Sequence, residues 1–80
     1  MSRLKALSAS DVIQALRHFG FEVVNTQGSH VKLRRDAPRG RETLTLPLHK
    51  ELARGTVLAI FRQASKYIPE RELKPWFFST

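Results

Sequence analysis

The sequence predicts a small single-domain α+β sandwich, α-β-β-β-α in chain order, with a three-stranded antiparallel sheet and two helices packed on one of its faces. Three observations predict it. Apolar residues recur at helical spacing in two stretches, Val12, Ile13, Leu16 and Phe19 near the start and Val57, Leu58, Phe61 and Ala64 later on. Between them lie three runs with the composition or the alternation of strands. The connections between those runs are short, which pairs consecutive strands antiparallel. Two amphipathic helices need a common apolar surface; one sheet face supplies it and the other is left to water.

The first helix opens on a capping box, Ser8-Ala9-Ser10-Asp11, with Ser8 as N-cap and Asp11 placed to reach back. Gly20 ends it as the residue after the C-cap. Phe21-Glu22-Val23-Val24-Asn25-Thr26 is β-branched and aromatic, hence a strand, and Gln27-Gly28-Ser29 supplies the turn. In the second strand Val31 and Leu33 alternate with His30, Lys32 and Arg34. Asp36-Ala37-Pro38-Arg39-Gly40 has the composition of a loop. Glu42-Thr43-Leu44-Thr45-Leu46 alternates again as a third strand, ended by Pro47. A connector from Leu48 to Arg54 leads to the second helix at Gly55-Thr56, with Thr56 as a plain N-cap. Ile68 to Leu73 reads as a last helical turn with Pro69 at its first position.

Eighty residues make one domain spanning 1–80, with no room for a second core. A chain of this length buries only about 60–65% of its unfolded surface. It has no cysteine for a disulfide or a thiolate metal site, which fits a reducing cytoplasm. Met1-Ser2-Arg3-Leu4-Lys5 leads into no apolar run long enough for a signal peptide or a membrane span, so a cytoplasmic protein is expected. The formal charge of +7 is more telling. A surplus of this size favours a polyanion, either nucleic acid or an acidic protein, and the excess of arginine over lysine favours bidentate contacts to phosphate or carboxylate. The competing reading is a basic surface that serves solubility alone.

Gly28-Ser29-His30 heads a run holding Lys32, Arg34 and Arg35. An imidazole that moves protons near neutral pH thus sits among groups that bind phosphate. With Val31 and Leu33 turned toward the helices, His30, Lys32 and Arg34 face the open side. RNA carries its own nucleophile, the 2′-hydroxyl beside each phosphodiester. A catalyst has to remove that proton, steady the charge at phosphorus and protonate the departing 5′-oxygen. His30 suits either proton step, and Lys32, Arg34 or Arg35 the charge. Gly28 lets the backbone approach a phosphate, and Ser29 is a donor or, more simply, a turn former. His49, in the connector, is a second acid or base, a substrate contact or an ordinary loop histidine. Lys50, Arg54 and the Gly55-Thr56 amides gather a phosphate site at the start of the second helix. His18 is given no catalytic role, and the three histidines have no metal-ligand spacing, so neither a metal nor another cofactor is expected.

These residues carry a resemblance. The capped helix ending in Gly20-Phe21, then Gly28-Ser29-His30, then Leu46-Pro47-Leu48-His49, then the run from Gly55 to Ala64 resemble the HicA/YcfA-like mRNA interferase toxins over about 8–68. The resemblance implies a fold like the double-stranded-RNA-binding domain, in agreement with the order read from the residues. It also implies a metal-free, ribosome-independent endoribonuclease toxin acting on mRNA, with His30 at the position of the catalytic histidine. An antitoxin of the HicB type, acidic in composition, is the expected protein partner. The runner-up reading is a non-catalytic RNA-binding module on the same fold; a DNA-binding regulator comes third, since no helix-turn-helix spacing is present. The aromatic tail 74–80, with Trp76-Phe77-Phe78, either folds back on the helices or stands out as an anchor for a partner.

Overall fold

The computed structural model describes residues 2–79 of the chain. Its elements in order are β1 (Arg3–Leu4), α1 (Ala9–His18), β2 (Glu22–Gln27), β3 (His30–Ala37), β4 (Gly40–Pro47), α2 (Arg54–Ala64), α3 (Glu70–Phe77) and β5 (Phe78–Ser79). The main sheet is antiparallel in the order β2-β3-β4, and β1 pairs with β5 in a second, two-stranded sheet. The α-β-β-β-α order read from the sequence is therefore present, extended by a third helix and a small sheet that joins the two ends of the described chain.

Both ends of α1 follow from local chemistry. The Ser8 amide donates to Asp11 Oδ2 at 2.9 Å and the Asp11 amide to Ser8 Oγ at 3.0 Å, which satisfies amides that have no partner inside the helix. At the other end Gly20 takes φ 93°, a left-handed conformation that costs glycine little. The Phe21 amide then bonds the Leu16 carbonyl and the Gly20 amide the Arg17 carbonyl, closing a Schellman motif. Phe21 is thereby turned inward and fully buried.

Two tight hairpins build the sheet. Gly28 (φ 59°) occupies the first central position of the β2–β3 turn, the left-handed position of a type II′ hairpin. The expected loop at 36–40 is instead a two-residue turn: Asp36 pairs with Arg41 and Ala37 with Gly40, leaving Pro38 and Arg39 to connect the strands. Proline supplies the φ such a turn needs, so composition announces a turn but not its tightness. The register of β2 shifts between Val23 and Asn25. Because of this bulge at Val24, both Glu22 and Asn25 lie on the face of Arg34 and Lys32.

The core lies between the sheet and the helices. Val31, Leu33, Leu44 and Leu46 from the sheet meet Val12 and Leu16 of α1, Val57, Ile60, Phe61 and Ala64 of α2, and Leu73 and Phe77 of α3. Leu58, expected inside, is half-buried, and Ile60 takes the inward position. α2 starts earlier than expected: Ala53 is its N-cap, with no side-chain cap bond, and Thr56 lies within the first turn. Pro69 is the N-cap of α3 and not its first residue, and that helix runs through Pro75 to Phe77. The tail folds back. Phe77 is fully buried, Phe78 packs edge-on against Phe61 with centroids 5.1 Å apart, and the Trp76 ring sits 4.8 Å from that of His18. Trp76-Phe77-Phe78 is therefore part of the core and its edge, which overturns the freestanding anchor.

Candidate functional site

Every helix packs on one face of the β2-β3-β4 sheet, and the other face is open. Along β3 the alternation holds: Val31 and Leu33 are buried, His30 and Lys32 exposed, and Arg34 half-buried. His30 stands on the central strand, opposite Gln27 on one side and Pro47 on the other. Pro47 has no N–H to donate, and strand β4 ends there. The Leu48 amide then bonds the Ser29 carbonyl at 2.6 Å, which keeps the connector tied to the β2–β3 turn. A Cβ at Gly28 would meet nothing within 4 Å, so backbone conformation alone calls for glycine there, and the surface above it is open.

His30 and Lys32 line a shallow depression of about 100 Å³ together with Asn25, Gln27 and Thr45. No motif in the sequence marks these three amide and hydroxyl side chains. They are the register partners of His30 and Lys32, and the bulge in β2 decides which of its residues share that face. Arg34 lies next along the strand, between Glu22 and Thr43. Its Nε is buried without a hydrogen-bond partner, a donor left unused in the folded protein.

Arg35 points the other way, onto the helix side. Its Nε donates to Glu42 Oε1 at 2.7 Å, and its terminal nitrogens donate to the Phe19 carbonyl at 2.8 Å and the Tyr67 carbonyl at 3.0 Å. The guanidinium also lies 4.9 Å from the centre of the Phe21 ring. Grouping Arg35 with the cations that meet RNA is corrected by these contacts: its donors already hold the fold together.

The remaining candidates are dispersed. His49 is exposed in the connector, where its carbonyl accepts from the Ala9 amide at 2.9 Å, and it does not line the His30 depression. Lys50 lines a separate cleft of about 410 Å³ with Ser8 and Asp11. Arg54 lines another, of about 650 Å³, with Arg3, Leu58 and Phe78. Lys50 and Arg54 thus line different clefts. Among the described residues no cluster of three or more His, Cys, Asp or Glu is placed to hold a metal, and no helix is long and apolar enough to cross a membrane.

A family model described as the HicA toxin of bacterial toxin–antitoxin systems matches residues 9–65, which run from the first residue of α1 to just past α2. No curated protein and no solved structure matches the chain.

Proposed function

The chain belongs to the HicA toxin family, toxins of bacterial toxin–antitoxin pairs and broadly mRNA interferases, and from that premise we propose that it is an endoribonuclease whose acid/base group is His30. The observation that supports this most is the setting of His30: an exposed imidazole on the central strand, in a polar depression shared with Lys32, on the face no helix covers. In this reading the 2′-hydroxyl oxygen attacks the adjacent phosphorus and the bond to the 5′-oxygen breaks; His30 takes the 2′-hydroxyl proton or protonates the departing 5′-oxygen, and water exchanges the other proton. Lys32 and Arg34 steady the charge that gathers on the phosphoryl oxygens.

The chemistry so written asks for neither a metal nor the ribosome, because the substrate supplies its own nucleophile and the protein its own cations. Asn25, Gln27 and Thr45 join Gly28 and Ser29 as positioning contacts around the scissile link. His49, Lys50 and Arg54 bind RNA outside this site. The antitoxin, of HicB type and acidic, covers the open sheet face and so competes with RNA for the same cations. Opposite charge then speeds association at low salt.

Substituting His30 separates an enzyme from a simple binder. A neutral imidazole adds little to counterion release, so His30→Ala should keep RNA affinity and the melting temperature while losing growth inhibition on expression. A variant that remains fully toxic would remove His30 from the mechanism. A wild-type protein that binds RNA tightly without cutting it would leave the binding module.

A further inference from the structure

The end of the sheet remote from His30 carries a second cationic depression. It measures about 440 Å³ and is lined by Arg39, Gly40, Arg41, Glu42, Lys66 and Tyr67. Its two walls come from distant parts of the chain, the β3–β4 hairpin and the connector between α2 and α3. Arg35 brings them together by bonding Glu42 in the hairpin and the Tyr67 carbonyl in the connector. The same contact neutralises Glu42, the one carboxylate in the lining. Asp36 holds Arg41 only loosely, at 3.7 Å with both side chains largely in water. Arg39, Arg41 and Lys66 are exposed or nearly so and Tyr67 keeps its ring 6.3 Å from that of Phe21.

This depression wraps the end of the sheet: Glu42, Lys66 and Tyr67 stand on the helix side with Arg35, and Arg41 reaches the open face. Arg41 pairs with Asp36, which alternation puts on the same side of β3 as His30, Lys32 and Arg34. At about 3.4 Å per residue the step from His30 to Asp36 is about 20 Å, a span of several nucleotides. Cations around an aromatic ring are what a single strand uses, phosphates on the charges and a base on the ring. We propose that Arg39, Arg41, Lys66 and Tyr67 form a distal RNA subsite that holds the strand whose scissile phosphate lies at His30. Arg35 is its positioning residue. The inference rests on the RNA-cleaving reading for the identity of the strand, but the subsite is testable by binding alone.

The test uses the full chain and a 14-nucleotide 2′-O-methyl RNA, which has no free 2′-hydroxyl to react. Arg39→Ala/Arg41→Ala/Lys66→Ala should bind about tenfold more weakly than wild type. Its log–log salt slope should be shallower by about 2, since each phosphate no longer neutralised removes ~0.7. A control with equal charge removed on the helix side, Arg3→Ala/Arg62→Ala/Arg71→Ala, should keep most of the wild-type slope. Equal reductions in both triple variants would reduce the effect to bulk charge and overturn the subsite, as would an unchanged slope in the first. Tyr67→Leu should weaken binding at constant slope, and an unaltered affinity would remove the stacking interaction. A wild-type protein that binds this RNA but cuts no unmodified strand would refute the nuclease reading and leave the subsite standing.

Discussion

Arg35→Ala sets two roles for one arginine against each other. In the fold, Arg35 supplies hydrogen bonds to Glu42, the Phe19 carbonyl and the Tyr67 carbonyl, and pairs with Glu42 where the two side chains are 23% and 17% exposed. Hydrogen bonds to charged groups contribute about 1.5–3 kcal/mol each. Three that share a single side chain are not additive, and partial exposure screens the ion pair. About 2–3 kcal/mol is therefore the expected destabilisation, with Glu42 left partly buried and unpaired. In a domain of this size that lowers Tm by roughly 10–20 °C, read by thermal denaturation. Affinity for a dinucleotide that reaches only the His30 depression should change less than twofold, measured below the variant's melting range. A variant that melts with wild type yet loses that affinity would refute the structural role and return Arg35 to the RNA surface.

Phe77→Ala should cost about 3–5 kcal/mol, a large part of the stability of so small a domain, and a Tm unaffected by it would show that α3 is dispensable to the core. Lys32→Ala/Arg34→Ala should flatten the log–log salt dependence of RNA binding by about 1.4, and an unchanged slope would place the strand off the open sheet face. The Asp11 carboxyl is held below its ordinary value of 3.8, first by the Ser8 amide and then by the Ser8 hydroxyl. Its contribution is present above that value and lost as pH falls through the lower folded one. The Tm gap between wild type and Asp11→Ala should therefore be constant near neutrality and close in acid, and a gap that widens in acid would contradict the capping box.

What the residues make legible is local. A capping box, a glycine after the C-cap and period-two alternation are enough to place α1, the three central strands and the open face bearing His30. The same alternation puts Arg35 with Val31 and Leu33 on the helix side, so grouping it with Lys32 and Arg34 by nearness in sequence sets aside a signal that is present. The bulge at Val24 has no marker of its own, and it decides whether Asn25 and Gln27 reach the site. β1 and β5 are two residues each and pair across the whole length of the chain, leaving no periodicity to read. The sequence pattern ends the last helical turn at Leu73, two residues before Pro75. In the structure that proline sits inside α3, where it has no N–H to give the Arg71 carbonyl, and its own carbonyl accepts from Lys5 Nζ at 2.9 Å.

In the proposed reaction the 2′-hydroxyl of the substrate attacks, with its proton handled by His30. The most direct measurement is cleavage of a defined oligoribonucleotide in EDTA by wild type and by folded His30→Ala, with the new ends identified by mass spectrometry. Fragments should end in a 2′,3′-cyclic phosphate and a 5′-hydroxyl, and the rate should be about 10²–10⁴ lower in the variant. Equal rates in the two proteins, or fragments ending in a 3′-hydroxyl and a 5′-phosphate, would contradict it.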